Sequence, residues 1–468
     1  MSKVPTLLVP GSLSVNGVQL PDEIPVKYII NWLKLRMPEY GSTKFDVNNR
    51  ILIIRAKTGS GKSTILPVEI FRILRDSSSV YAKQYVGPSV ICTQPKIITA
   101  MALAYDVSSR PWNPDMILSR TVGYQTGPFS EKSQSGLLYA TSGILMTQLR
   151  HQRDDEIMAL YRFILVDEAH ERSIDSDMVL MLLRNFYARN VGNKMLPFLL
   201  LTSATYDPVP YSKYFGIGSE NIIDVSGRAQ PIEIRWPKTG VNDFPIAAAE
   251  TAIMIHEENM SDVPHQADIL IFLPGIGEIT KAADRLGESL DRFATNPYMI
   301  IVIDSGTIAS QGPAFKQVMT PPDQLPWIRG HRPIRRIVLS TNVAETGLTI
   351  DTLKYVIDSG WTKSMETYPL SGATGLIARP IQQNNATQRF GRCGRLFPGI
   401  VYPMYLESTF NALPQQQVPH IITEGIHAIF IASAGEQHRQ KIRGSQHPDF
   451  RTEHITMLDL PPAEAFIM

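Results

Sequence analysis

Apolar positions along the chain come as short continuous runs, not as a strict alternation with polar ones. Ile51-Leu52-Ile53-Ile54, Ser89-Val90-Ile91-Cys92, Tyr161 to Val166 and Phe198 to Thr202 are runs of this kind. Such a run, rich in β-branched and large residues, predicts a strand buried on both faces of a parallel sheet. Between the runs the apolar period lengthens to that of a helix. Lys96–Ser109 and Ile174–Asn190 are predicted helices, and another is predicted from Lys62, with Pro67 tolerated near its first turn. The second half repeats the scheme, with predicted strands at Ile269–Leu273, Met299–Ile303, Ile337–Leu339 and Tyr355–Ile357. Strands alternating with helices predict an α/β fold with mostly parallel sheets. Two such domains are expected, over residues 45–225 and 231–406, joined by a short polar linker at 226–230 that permits rigid-body closure. Residues 1–44 are an extension of loop-like sequence around one helix, Val26 to Met37, and residues 407–468 begin a further accessory region. Two short strand-like runs, Trp361–Tyr368 and Thr374–Ile377, flank Ser371-Gly372-Ala373 and predict a β-hairpin. The Pro-rich stretch Thr320 to Pro333 reads as a surface loop.

Composition narrows this little. A chain of 468 residues has room for about three domains. Hydrophobic content of 43% and charged content of 19% belong to an ordinary globular protein. A net charge of +1 supplies no global basic field, so any nucleic acid is gripped by local amides, hydroxyls and a few cations. Cys92 and Cys393, in different predicted domains, imply neither a disulfide framework nor a zinc site, and fit a reducing compartment. No apolar run reaches membrane-spanning length, and Met1-Ser2-Lys3-Val4-Pro5 does not open a signal peptide.

Two segments carry chemistry. Ala56-Lys57-Thr58-Gly59-Ser60-Gly61-Lys62-Ser63-Thr64 follows a strand and precedes a helix. Gly59 and Gly61 let backbone amides converge on phosphates without Cβ clashes, and the helix N-terminus adds partial positive charge. Lys62 reaches the β- and γ-phosphates, and the Ser63 hydroxyl ligates Mg2+. Asp167-Glu168 follows the Tyr161–Val166 strand, at the strand end where α/β sheets place ligands. Asp167 is expected to hold Mg2+ through water and Glu168 to orient and deprotonate the attacking water. His170 is expected to link this site to its surroundings. Gly275-Ile276-Gly277 lacks the third glycine of a dinucleotide loop and reads instead as a helix start. Arg392 and Arg395 are three apart, so on a helix they share a face, with Gln388 one turn earlier.

In order along the chain, Thr93-Gln94-Pro95-Lys96, Val122-Gly123-Tyr124, Thr141-Ser142-Gly143, Asp167-Glu168-Ala169-His170, Ser203-Ala204-Thr205, Gly227-Arg228, Asp268 to Gly275, Ser340 to Asp351 and Gln388 to Arg395 resemble the motifs of DEAH-box helicases of superfamily 2. The match spans Pro21 to Tyr405 and resembles most the DExH helicases of large cytoplasmic DNA viruses, of the poxvirus and asfarvirus type. The resemblance implies two tandem RecA-like domains, ATP or another NTP with Mg2+ as cofactors, and RNA, or else DNA, as partner. It implies nucleotide contacts from Thr58, Gly59, Ser60, Gly61, Lys62, Ser63, Thr64 and Asp351. It makes Gln388 a positioner of the attacking water and Arg392 and Arg395 arginine fingers, each finger worth ~10³–10⁵ in rate. It implies nucleic-acid contacts from Thr93, Pro95, Lys96, Thr141, Gly275, Thr341 and Asn342, and coupling of hydrolysis to strand movement through Ser203 and Thr205. It makes the hairpin a duplex wedge, the direction 3′ to 5′, and the setting a host cytoplasm or virion, with no membrane partner.

The chain departs from the family pattern at Gly347, where many relatives have Ser, at Ser142 for a common Asp, and at Lys96 for a common Arg. Lysine keeps the charge but loses the bidentate fork. No adenine-reading glutamine motif precedes the phosphate loop, so loose nucleotide choice is expected. Met457 to Ala465 resembles the entry to a winged-helix domain, so the chain is expected to be a truncated form or fragment. An NTPase that remodels RNA–protein complexes, or moves on DNA without unwinding, is the alternative activity.

Overall fold

The computed structural model describes residues 12–15, 18–20, 25–36, 49–56, 60–75, 89–110, 113–131, 136–203, 207–226, 230–263, 266–304, 306, 314, 317–318, 320, 324–345, 350–367, 374–395, 397–415 and 458. It divides into two compact units, Met1–Gly227 with Val418–Met468, and Arg228–Gln417.

The first unit runs β1 (Ser12–Val15), β2 (Val18–Leu20), α1 (Pro25–Arg36), β3 (Ile51–Ala56), α2 (Ile65–Arg75), β4 (Val90–Gln94), α3 (Ile97–Ser109), β5 (Val122–Gln125), β6 (Ser130–Glu131), β7 (Leu137–Thr141), α4 (Ser142–His151), α5 (Asp154–Leu160), β8 (Phe163–Val166), α6 (Ile174–Arg189), β9 (Phe198–Ser203), α7 (Pro208–Phe215) and β10 (Ile222–Ser226). Its sheet has the order β2-β1-β10-β3-β9-β8-β4-β7-β5-β6. The stretch from β10 to β5 is parallel throughout. The continuous apolar runs have a simple cause. On β3, Ile51 and Ile53 face one core while Leu52 and Ile54 face another; β8 and β9 divide in the same way. With helices on both faces, neither side chain of a pleat is left to water, so alternation disappears.

One expectation fails at the N-terminus. The loop-like stretch before α1 contributes β1 and β2, which extend the sheet antiparallel to β10 through Ser12↔Ser226 and Val15↔Ile223. Strands of four and three residues are too short to register as a period in the sequence.

The second unit runs β11 (Ile232–Ile234), α8 (Phe244–Glu258), β12 (Asp268–Phe272), α9 (Ile276–Ser289), β13 (Tyr298–Ile303), β14 (Arg335–Ser340), β15 (Leu353–Asp358), β16 (Trp361–Thr367), β17 (Thr374–Pro380), α10 (Gln383–Phe390), β18 (Gly399–Pro403) and α11 (Glu407–Ala412). Its main sheet, β11-β18-β15-β12-β14-β13, is parallel at every pairing. Helix α9 buries Ile279, Ala282, Leu286 and Ser289, a helical stripe that packs on this sheet beside α8. β16 and β17 form a separate antiparallel hairpin, Trp361↔Pro380 to Thr367↔Thr374, whose expected tip Ser371-Gly372-Ala373 lies outside the described residues. The Pro-rich stretch is not wholly at the surface: Trp327 is exposed, but Leu325 is buried and a bridge joins Ile328 to His331. The unit continues past Tyr405, because the Gln383 amide donates to the Pro414 carbonyl and Phe410 packs on Trp236 and Phe390.

Candidate active site

The first unit gathers its chemistry at the C-terminal ends of β3, β4, β8 and β9. Ser60 to Thr64 turn between β3 and α2, which starts at Ile65 and not at Lys62 as the sequence suggests. The Gly61 carbonyl accepts from the amides of Thr64, Ile65 and Leu66, and this tight closure delays the helix. Gly61 has φ +84°, and a Cβ there would sit 3.0–3.2 Å from the Ile65 side chain, so glycine is required. Thr58 and Gly59 lie outside the described residues.

Asp167, just beyond β8, is the hub. Ser63 Oγ donates to its Oδ2 at 2.5 Å and Gln94 Nε2 to the same oxygen at 2.9 Å. Thr202 Oγ1 donates to Oδ1 at 2.5 Å, and so does the Glu168 amide at 2.9 Å. Lys62 Nζ lies 3.6 Å from Asp167 Oδ1 and 2.7 Å from Glu168 Oε1. Burial alone would raise the Asp167 carboxyl. The Lys62 ammonium and the Ser63, Thr202 and Gln94 hydrogen bonds outweigh it and hold the group below its ordinary value. Glu168 takes a left-handed conformation, φ 51° and ψ 40°, an uncommon one for glutamate and of the sort found at functional turns.

His170 continues the constellation. Its Nδ1 is 2.7 Å from Ser203 Oγ and 3.3 Å from Glu168 Oε2, joining the acid pair to the end of β9. Burial lowers its pKa, further lowered by Lys62 and only partly offset by Glu168, so the imidazole is neutral near pH 7. Thr205 lies outside the described residues. Thr93 is fully buried, and its hydroxyl donates to the Leu165 carbonyl. Pro95 and Lys96 are half-buried at the start of α3, and Lys96 Nζ pairs with Glu171 at 2.8 Å. Thr141 ends β7, half-buried.

Magnesium takes hard oxygen ligands in small number, keeping water and phosphate oxygens for the rest of its shell. A hydroxyl and a carboxylate in contact, Ser63 and Asp167, fit that donor set. No cluster of three His, Cys, Asp or Glu side chains suited to a soft or protein-caged metal occurs among the described residues.

The second unit carries the remaining candidates. Gly275 caps the start of α9. Thr341 and Asn342 are half-buried after β14, and Asp351 is exposed before β15. Helix α10 holds Gln388 but ends at Phe390. Arg392 and Arg395 therefore do not share a helical face, as their spacing had suggested; they sit in the turn that follows. Gly391 ends the helix, and Gly394 at φ +68° presses on Ile232, where a Cβ would fall 2.5 Å from Cγ1. Arg392 is buried, with Nε donating to the Gln388 carbonyl at 3.3 Å, and Arg395 is half-buried.

The roles of four residues escaped the sequence reading. Gln94 and Thr202 adjoin recognised motif residues, yet only their fold-given proximity to Asp167 gives them a role. Tyr139, fully buried on β7, donates its hydroxyl to the Ser63 carbonyl at 2.8 Å and left no sequence signal. Arg389, fully buried, binds Asp358 at 2.7 Å, Glu345 at 3.2 Å and the Trp361 carbonyl at 3.2 Å. It thereby ties α10 to the root of the hairpin.

Two family models match the chain: DEAD/DEAH box helicase over residues 43–211 and helicase conserved C-terminal domain over residues 265–397. The chain belongs to the DEAD/DEAH-box helicases. Its two units have the architecture of the family's tandem RecA-like domains, those of an NTP-dependent helicase core. This DEAD/DEAH-box chain is 46% identical over 476 residues to "Putative RNA Helicase B962L" of African swine fever virus, isolates Pig/Kenya/KEN-50/1950 and Tick/South Africa/Pretoriuskop Pr4/1996, covering 98% of this chain and 49% of each relative. It thus spans about half the length of the curated relatives it matches. Its fold is similar to that in a crystal structure of the Escherichia coli DEAH/RHA helicase HrpB, with TM-score 0.70 and 24% identity over 95% of this chain and 49% of that one. No described helix is long and apolar enough to cross a membrane.

Proposed function

We propose that the chain is a motor core that hydrolyses ATP or another NTP with Mg2+ and uses the cycle to move 3′ to 5′ on RNA and unwind it. The observation that carries the reading is the convergence of Lys62, Ser63, Glu168 and, through Glu168, His170 on Asp167. The Ser60–Ser63 turn and the α2 N-terminus receive the phosphates, and Lys62 neutralises them. An incoming γ-phosphate competes with Glu168 for the Lys62 ammonium and leaves that carboxylate to a water. Ser63 and Asp167 hold Mg2+, which when bound neutralises phosphate charge. Glu168 orients the water and takes its proton as the new P–O bond forms and the β–γ bridging bond breaks. Gln388 steadies that water, and Arg392 and Arg395 meet the charge on the transferred group. The neutral His170 passes the state of Glu168 to Ser203, and from there to Thr205. Asp351 serves the nucleotide; Thr93, Pro95, Lys96, Thr141, Gly275, Thr341 and Asn342 form the nucleic-acid track.

RNA as the partner is supported by the name of the similar African swine fever virus proteins, which calls them RNA helicases; a host-cytoplasm or virion setting is part of the same proposal and rests on the resemblance to helicases of cytoplasmic DNA viruses. The test measures NTP turnover without nucleic acid, with RNA and with single-stranded DNA, beside unwinding of duplexes tailed at either end. RNA-stimulated turnover and unwinding from a 3′ tail are expected. Turnover stimulated by DNA alone, or unwinding only from a 5′ tail, contradicts the proposal.

A further inference from the structure

Gln94 and Thr202 grip the Asp167 carboxylate from opposite sides. In the sheet, β4 and β9 are the two neighbours of β8. Gln94 ends β4 and Thr202 lies on β9, and both are fully buried. Asp167 follows β8 directly, so each flanking strand sends it one donor. Gln94 Nε2 takes Oδ2 at 2.9 Å and Thr202 Oγ1 takes Oδ1 at 2.5 Å. An ionised carboxylate only accepts, so the amide must present its nitrogen, and its orientation follows from chemistry. The two oxygens turn together about the Cβ–Cγ bond, so these two donors add to the hold of the Ser63 hydroxyl on Oδ2 and of the Glu168 amide on Oδ1. With both anchored by residues of rigid strands, the plane of the carboxylate is set.

The choice of donors matters as much as their number. A lysine or arginine in either place would orient the carboxylate but neutralise it. An amide and a hydroxyl orient it and leave its negative charge for a cation. We infer that Gln94 and Thr202 are positioning residues for Mg2+: neither touches the ion, and both fix the carboxylate that meets it beside Ser63. The inference rests on Asp167 being the metal-side carboxylate. Partners of this kind around a ligand change metal affinity by about 10–100-fold when removed.

The test uses the whole chain with Thr202→Val, which keeps the shape and loses the hydroxyl, Thr202→Ser, which keeps the hydroxyl, and Gln94→Leu. Mn2+ binding is read from the loss of the free-ion electron paramagnetic resonance signal in the presence of a non-hydrolysable ATP analogue. Mg2+ dependence of turnover is measured alongside. Thr202→Val and Gln94→Leu are expected to need about 10–100-fold more metal for half-saturation. Thr202→Ser should lie near wild type, and kcat at saturating metal should stay within a few-fold. Folded Val and Leu variants with wild-type Mn2+ affinity overturn the inference, as does a kcat loss that excess metal does not restore. Should Thr202→Val not fold, Thr202→Ser against Gln94→Leu makes the same comparison. A wild-type chain that neither binds Mn2+ with the analogue nor hydrolyses NTP overturns the parent reading too, whereas intact wild-type binding with unshifted variants overturns this inference alone.

Discussion

Single residues in this chain are set by burial against charge. His256 on α8 shows the balance away from the candidate site. Its ring meets Phe293 at 4.6 Å and Tyr298 at 4.9 Å, edge to face, and its Nε2 is 3.0 Å from the Asn296 carbonyl. Burial, followed by the nearby Arg335 cation, lowers its pKa from 6.5 to about 4, against a smaller raising effect of Asn296. A lowered value means that the folded state resists protonation more than the unfolded one. The stability this gives is complete above pH 6.5 and is lost as pH falls toward about 4, up to roughly 3 kcal/mol. Thermal melts of wild type and His256→Phe across that window should converge as pH falls; parallel curves would show that His256 is not the titrating group. Asp167 has the same sign, its lowered value adding stability at neutral pH that acid removes. Lys62, Ser63, Asp167 and Glu168 were legible as letters because a phosphate loop and an acid pair are local spacings. Gln94, Thr202 and Tyr139 were not, because their partners lie 73, 35 and 76 positions away and only the sheet brings them together.

At the scale of elements, buried parallel strands were readable because both faces are covered, and the start of α9 because Gly275-Ile276-Gly277 follows a strand without the third glycine of a dinucleotide loop. What misled was the length of α10. Arg392 and Arg395 looked like one helical face, but Gly391 ends the helix and Gly394 turns the chain against Ile232. That turn makes a test. Gly394→Ala combines a left-handed conformation with a Cβ 2.5 Å from Ile232 Cγ1, and should cost about 1–3 kcal/mol. If the turn aims the arginines, NTP turnover should fall more than the melting temperature alone explains; unchanged turnover in a folded variant would separate the turn from the chemistry. The hairpin offers a second test. Deleting Pro369–Ala373 between β16 and β17 should leave RNA-stimulated hydrolysis intact and abolish unwinding, and a variant that unwinds normally would remove the wedge role.

Across the whole molecule, two α/β units were visible from the repeat of strand and helix periods, whereas the antiparallel strands β1 and β2 and the extension through α11 were hidden in pieces too short for a period. A net charge of +1 means that affinity for RNA has to come from local contacts such as those expected of Lys96 and the backbone amides. Such binding should weaken with salt less steeply than that of a strongly basic domain, in proportion to the few phosphates neutralised. A steep salt slope in an RNA titration would point to a basic surface that this account omits. The motor account itself stands on the site around Asp167. The most direct measurement is steady-state NTP turnover with Mg2+ and RNA for wild type, Lys62→Ala and Glu168→Gln, with nucleotide binding recorded in parallel. The account expects wild-type hydrolysis, loss of turnover in Lys62→Ala, and a Glu168→Gln chain that binds NTP but does not turn it over. Wild-type turnover that survives both substitutions would contradict it.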